Sequence, residues 1–420
     1  MEKGPLTNWA GNLTYSTSNI ISQGSSLSGV QYEIQKNKKL RVLGTRHSFN
    51  SIADSDSLLI STAGLNRILF LDRESHTVTV EAGIKYGELC GYLQKHGYAL
   101  HNLASLPHIS VAGACATATH GSGFNNGSLA TGVNCIEFIT GRGEFTSLTK
   151  ERDGDHFSGA VVNLGALGMV ISIRLALQPA FTMKQWIFRD MPVAELEKNF
   201  REIMSAGYSV SLFTDWRNKT INQVWVKSKT GMNDSFPSGF YGAKPAATNL
   251  HPLEELSPEN CTDQLGLEGP WYDRLPHFKM GFTPSSGTEL QTEYFIPFEY
   301  AWEGFKSIEK LNAKISPHLY VSEIRSIAAD DLWMSPFYKK TCVAFHFTWK
   351  QNWNEVKLLL PMIEEALESF NPLPHWGKLF SMQPQVLQRR LARLNDFKGL
   401  MVQYDPQGKF RNQFIDSIFR

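Results

Sequence analysis

Several groups of residues in this 420-residue chain could do chemistry together. In Gly44-Thr-Arg-His-Ser48 a polar turn follows a short apolar strand (Leu40, Val42, Leu43). Such a turn gathers backbone N–H groups and two hydroxyls at one point, a nest that suits a phosphate. Arg46 adds fixed positive charge there, and His47 adds a nucleophilic imidazole. Further on, Glu323 and Arg325 flank Ile324, and His346 and Thr348 flank Phe347. The strand period puts each pair on one face of a sheet. On adjacent strands they would stand side by side, with His375 and Lys378 just beyond. Arg, Lys and His beside a carboxylate suit holding hydroxyls and accepting a proton.

A third feature is Leu103–Phe124, in which every residue from Ser110 to Gly123 except Val111 and His120 is small. Small side chains permit close backbone approach to something bulky, and a helix over 110–117 could turn free N–H groups toward an anion. Gly165 and Gly168, ahead of a buried strand, invite a ligand against the backbone in the same way. Taken singly, each feature has an ordinary structural use: a surface loop, an exposed cross-strand pair, a satisfied core histidine, a tightly packed helix. Read from residues alone, the combination is a polyol or sugar-acid site with a phosphate-bearing cofactor.

The elements that must position these groups are legible from periodicity. A helix is expected near 25–37, strands at 39–43, 58–60 and 68–71, and an alternating strand at 76–83 with Val78 and Val80 on one face. Tyr86, Leu89, Cys90 and Leu93 predict a helix stopped by Gly97. A hairpin turns at Gly141-Arg-Gly143, a loop is expected at 153–157, and a buried strand follows Gly168. After Gln178-Pro179 come strands at 183–189, 208–214, 221–228, 289–296, 318–326 and 341–349. The expected helices there follow Val193, at 300–313 and at 354–370. Residues 229–288 lack periodicity, a stretch long enough to cover a site or pack at a domain junction. Beyond Pro372 a helix around Val386–Leu394 and a polar tail with Asp405-Pro-Gln-Gly408 complete the chain. Strands grouped with covering helices imply an α+β second domain with a mainly antiparallel sheet.

Composition excludes several functions. Hydrophobic residues make up 42% and charged residues 19%, a foldable globular balance. Lys+Arg 41 against Asp+Glu 40 leaves a formal charge of +1, with no footprint for nucleic acid. No stretch is apolar enough to span a membrane, and the N-terminus lacks the apolar core of a signal peptide. The 5 cysteines are scattered, with neither disulfide nor metal-ligand spacing, so a cytoplasmic, metal-free protein is expected.

Gly44-Thr-Arg-His-Ser-Phe-Asn50, Ser105-Leu-Pro-His-Ile-Ser-Val-Ala-Gly113, Thr119-His-Gly-Ser-Gly123, Ser322-Glu-Ile-Arg325, Asp331-Leu-Trp-Met-Ser-Pro336, His346-Phe-Thr-Trp349 and His375-Trp-Gly-Lys-Leu-Phe380 together resemble the alditol (xylitol/sorbitol) oxidases, vanillyl-alcohol-oxidase-type covalent flavoproteins. The resemblance runs from about residue 10 to the C-terminus. Sugar-1,4-lactone oxidases share the histidine turn, a Glu-x-Arg pair and a His-Trp-x-Lys motif. The Asp331–Pro336 and His346–Trp349 pieces favour the alditol side. The resemblance implies a two-domain α+β fold: an FAD-binding domain over 1–178, a substrate (cap) domain over 179–375, and a segment over 376–420 returning to the first domain.

It also implies roles. His47 would be tethered through Nδ1 to the 8α-methyl of FAD, with Leu43, Gly44, Thr45, Arg46 and Ser48 wrapping the pyrophosphate and ring edge. Ser105, Ser110, Gly113, Thr117, Thr119, His120 and Gly121 would line the FAD. Gly165, Gly168 and Val170 would face its adenine or ribityl half, and His375 would touch the flavin ring. Glu323, Arg325, His346, Thr348, Lys378 and Ser105 would hold the polyol. Hydride would pass from C1 to flavin N5, with His346 as general base and Lys378 as the second candidate. Arg325 and Lys378 would stabilise developing negative charge, and O2 would carry off the electrons as H2O2. A monomer is compatible with this reading. One departure is Ala118, where the pattern has glycine. The rivals are an aldonolactone oxidase or dehydrogenase and, from a different class, a non-catalytic flavin- or carbohydrate-binding protein.

Overall fold

The computed structural model describes residues 5–22, 27–232, 236, 239–281 and 288–420. The start of the helix expected near 25–37 and parts of the 229–288 stretch lie outside the described residues; the described helix is Leu27–Lys36. Arg41–Leu43 pairs in parallel with Leu59–Ser61, which pairs in turn with Ile20–Ser22. Beside this small sheet lies a five-stranded antiparallel one in the order Ile68–Asp72, Thr77–Glu81, Gly168–Ala176, Val133–Thr140, Phe145–Thr149. The glycine-flanked turn at Arg142 closes its hairpin, with Gly143 at φ +81°.

The second half is built on one large antiparallel sheet. Its central strands run Thr182–Pro192, Thr220–Lys229, Ser209–Thr214, Leu319–Ile327, Cys342–Lys350 and Glu289–Pro297. Helices Val193–Met204, Ala301–Glu309 and Trp353–Leu367 accompany it. A Cβ at Gly304 would strike Ile296 and Phe345, so the Ala301–Glu309 helix lies directly on the apolar face of the sheet. Strand alternation then turns the other face, with Glu293, His346 and Glu323, away from that helix. These three stand in direct register across three strands: Glu293 opposite His346, and His346 opposite Glu323.

The last stretch of chain packs against the first. Leu40 N–H donates to the Lys409 carbonyl at 2.9 Å, and Asn412 Nδ2 donates to the carbonyls of Ser51 and Asp54, each at 2.8 Å. Arg41 ties several segments at once. It is buried, and its guanidinium donates to the carbonyls of Gly165 and Leu164, each at 2.8 Å, and to those of Phe410 and Ile52. Replacing Arg41 with leucine strands these acceptors and is expected to destabilise the fold by about 2–3 kcal/mol. Urea denaturation followed by tryptophan fluorescence measures it, and a loss below about 0.5 kcal/mol would contradict the account.

Two sequence expectations are corrected. The 153–157 loop belongs to a helix, Lys150–Val161, broken at Gly154 with φ 46°. Thr149 caps it by accepting from Arg152 N–H, while Asp153 reaches back to accept from Thr149 N–H at 2.7 Å, a reciprocal cap that holds the first turn despite the glycine. The polar tail also ends in a helix, Gln413–Phe419, which buries Ile415, Ile418 and Phe419 and is capped by Asn412.

Candidate active site

A cavity of about 950 Å3 lies between the polar face of the large sheet and the loops of the first half. At one end is the Gly44–Ser48 turn. Arg46 takes a left-handed φ of 62°, which bends the chain sharply before His47. Gly44 and Gly113 both crowd Ser110: a Cβ on either would lie 2.9 Å from its Oγ. Ser110 stands at the N-cap of the short Val111–Ala116 helix, and its N–H points at Thr45 Oγ1 at 3.3 Å. His47 Nδ1 lies 3.0 Å from Thr45 Oγ1, and its Nε2 is buried with no hydrogen-bond partner among the described residues. Burial and the neighbouring His108 bring the imidazole pKa down to about 4, so the ring is neutral near pH 7. Trp9 stacks on it at 5.2 Å.

At the other end, polar side chains converge on Glu293. Its Oε1 accepts from Arg325 Nη2 at 2.7 Å and lies 3.3 Å from His120 Nε2; its Oε2 accepts from Lys378 Nζ at 2.6 Å. Burial pushes this carboxyl's pKa up, yet Lys378, Arg325 and His120 outweigh burial and hold it well below the usual range. Arg325 reaches Glu293 diagonally because Ala344, opposite Arg325 on the intervening strand, is small. Glu323 is depressed in the same way, burial being outweighed by Arg325 and His277. Its Oε1 accepts from His277 Nε2 at 2.8 Å, and its Oε2 faces His346 Nδ1 at 3.9 Å. His346 Nε2 is buried without a partner among the described residues, and burial followed by Lys378 lowers its pKa to about 4. Lys378 is lowered too, chiefly by burial. Arg325 Nη1 also donates to Ser105 Oγ at 3.3 Å.

The two ends are joined. Phe49 N–H donates to the Gly377 carbonyl at 2.7 Å, and Asn50 Nδ2 donates to the carbonyls of Trp376 and Lys378 at 2.9 and 2.7 Å. His375 Nδ1 accepts from Gly377 N–H, which leaves its proton on Nε2, 3.5 Å from Thr119 Oγ1.

Leu43 to Ser48, Ser105, Ser110, Gly113, Thr117, Thr119, His120, Gly165, Gly168, Val170, Glu323, Arg325, His346, Thr348, His375 and Lys378 all line this cavity. Gly121 does not: it lies against the Leu103 carbonyl, where a Cβ would come within 2.2 Å. Ala118 is also off the cavity wall and holds φ 52°, the conformation that favours glycine, at a cost of about 1 kcal/mol. Sequence reading missed Glu293, His277 and Trp9. A signal for Glu293 existed, since Gln291 and Glu293 repeat the spacing of two seen in the neighbouring strands. His277, inside an aperiodic stretch, gave none. No cluster of metal-ligating side chains occurs among the described residues, and no helix of theirs is long and apolar enough to cross a membrane.

Residues 28–149 match the family described as an FAD binding domain, and residues 287–418 match that described as D-arabinono-1,4-lactone oxidase. Among solved structures, cholesterol oxidase from B. sterolicum superposes with a TM-score of 0.79 at 14% identity, covering 99% of this chain and 96% of that one. The cavity suits a large cofactor: its size, a turn whose neutral imidazole leaves Nε2 without a hydrogen-bond partner among the described residues, and glycines along its wall. The class so defined is a two-domain flavoprotein with its FAD-binding domain N-terminal. The chain is 42% identical to the alditol oxidase of a Streptomyces species (strain IKD472) over 98% of each chain. It is 26% identical to mouse L-gulonolactone oxidase, over 92% of this chain and 90% of that one. The chain therefore belongs to the alditol oxidase family of vanillyl-alcohol-oxidase-type flavoproteins.

Proposed function

We propose that this enzyme oxidises the terminal C1 hydroxyl of an alditol such as xylitol or sorbitol to the aldose, with O2 reduced to H2O2. FAD, when bound, supplies the acceptor for the C1 hydride and the route of electrons to O2. The observation that carries the reading is the registered row Glu293–His346–Glu323, flanked by Arg325, Lys378, Thr348 and Ser105, at one end of a cavity whose other end is the His47 turn. Glu323 Oε2 accepts from the C2 hydroxyl, while Thr348 and Ser105 meet outer hydroxyls. His346, neutral and with Nε2 unpartnered, takes the C1 hydroxyl proton. Arg325 and Lys378 place positive charge where the alkoxide develops. The cations each share Glu293, which opposes the lowering of the Lys378 pKa by burial and so favours His346 over it as the base. The free, buried state of Cys90, Cys115, Cys135, Cys261 and Cys342 supports a reducing, cytoplasmic setting.

The test is anaerobic flavin reduction with xylitol, sorbitol, glycerol and gulonolactone. Bleaching by the polyols with recovery in air is expected; bleaching by the lactone alone would reject the reading in favour of an aldonolactone oxidase.

His47 is the proposed covalent anchor. Its Nδ1, the nitrogen that the resemblance implies, faces the Thr45 hydroxyl, which must turn aside for a bond to form there. His47→Ala is expected to release all flavin from acid-precipitated protein, whereas the unmutated enzyme keeps its colour in the pellet. Flavin that stays with the denatured variant would place the attachment elsewhere.

A further inference from the structure

Outside the residues already given a role, the least expected group in the molecule is a lysine inside the large sheet. Lys227 sits on the Thr220–Lys229 strand and is fully buried. The register Lys227–Ser209, Trp225–Ser211 and Ser211–Arg325 places it on the same face as the active-site row. Among the described residues no carboxylate lies within ion-pair distance of it. Its three protons go to three acceptors: the carbonyls of Leu275 at 2.7 Å and Pro276 at 3.0 Å, and His277 Nδ1 at 3.1 Å. A buried ammonium without a direct counter-ion is costly, and an apolar side chain would serve the fold better.

The ammonium has one consequence that an apolar residue could not supply. Because it occupies His277 Nδ1 as an acceptor, the neutral ring carries its proton on Nε2, and that N–H donates to Glu323 Oε1 at 2.8 Å. Phe213 and Trp225 meet the His277 ring edge-on at 5.5 and 5.1 Å and fix its plane. With Oε1 taken, Oε2 is the oxygen of Glu323 nearest His346, and both residues line the cavity. The same segment reaches the other proposed substrate contact: His277 N–H donates to the Ser105 carbonyl at 3.2 Å, and Thr262 Oγ1 ties down the Pro276 carbonyl at 2.8 Å.

We infer that Lys227 and His277 are positioning residues that fix the imidazole tautomer and thereby aim Glu323 Oε2 at the substrate's C2 hydroxyl. This rests on the reading above that Glu323 holds that hydroxyl. Lys227, which does not line the cavity, sets substrate selectivity through His277 and Glu323, in the manner of the outer partners that orient ligating groups elsewhere.

The experiment compares glycerol with propane-1,3-diol, which differ only in the C2 hydroxyl, as substrates of the flavin-loaded enzyme. The readout is the ratio of their kcat/KM values, with flavin content and melting temperature recorded for each variant. Lys227→Met and His277→Leu are expected to lower the ratio about tenfold, mainly through a higher KM for glycerol. His277→Gln, which keeps an N–H near the Nε2 position, is expected to recover part of it. A purely structural role would lower the melting temperature and both kcat/KM values together and leave the ratio intact, and that result overturns the inference. Glu323→Gln is the control. If it collapses the ratio while Lys227→Met and His277→Leu leave it within about twofold, the positioning role is wrong and the carboxylate reading stands. If Glu323→Gln leaves the ratio unchanged, the carboxylate reading fails and the inference fails with it. Should Lys227→Met not fold, the His277→Leu and His277→Gln pair decides alone.

Discussion

Replacing Glu293 with glutamine is expected to abolish turnover and to cost the fold about 3–5 kcal/mol. The carboxylate is fully buried and is the shared counter-ion of Arg325, itself buried, and of Lys378, which is largely shielded from solvent. An amide of the same shape keeps one acceptor and presents an N–H₂ where a cation now sits, so a buried charge is left unpaired. Truncating one partner of a buried ion pair is the costly case; removing both is far less so. Glu293→Gln combined with Lys378→Met should therefore recover part of the stability while remaining inactive. The carboxyl's depressed pKa fixes the sign of its pH linkage: its contribution is fully present above the unfolded-state pKa and is lost as pH falls through the lower folded-state value. Chemical denaturation of the single and double variants measures the coupling. A single variant that loses under about 1 kcal/mol would show that Glu293 is not the common counter-ion.

The second large effect is at His346. His346→Ala should lower kcat/KM about 10²–10⁴-fold, the usual range for loss of a general base. The pH profile separates it from its rival. With burial and Lys378 bringing its pKa down to about 4, His346 is already unprotonated at neutral pH. Activity should therefore fall only in acid, as the ring takes up a proton. Were Lys378 the base, its ammonium would first have to lose a proton, and kcat/KM would climb with pH toward the alkaline range. Lys378 Nζ donates to Glu293 at 2.6 Å, which favours its charged form and the flat neutral profile. A profile still rising above neutrality in the unmutated enzyme would assign the base to Lys378.

Much of this site could be read from spacing, because strands convert spacing into placement. Glu323/Arg325 and His346/Thr348 each needed only a period of two, and the two strands do pair, with Glu323 opposite His346. The Gly44–Ser48 turn and the small residues around Ser110 each had an ordinary reading, and stood out only in combination with the polar pairs of the later strands. The part that stayed hidden depends on contacts that no period encodes. Glu293 reads as one more polar residue in an alternating strand until Arg325 and Lys378 are seen to converge on it. His277 sits in an aperiodic stretch and gains its role from Lys227, 50 residues earlier in the chain. The fold shows the same division: long alternating strands were located, whereas the Lys150–Val161 helix escaped because Gly154 interrupts its pattern and its start depends on side-chain caps.

The link between the His47 turn and the lysine segment bears on recombination. Asn50 spends both amide protons on the carbonyls of Trp376 and Lys378, and Phe49 holds Gly377 between them. Segments more than 300 residues apart in sequence are thus a single joint in space. A chimera assembled from two related oxidases with a crossover anywhere between these segments would inherit its His47 turn from one parent and its lysine from the other. Such hybrids should fail at this seam unless both parents carry the asparagine and the His-Trp-Gly-Lys run, so the two segments are best transplanted as a unit.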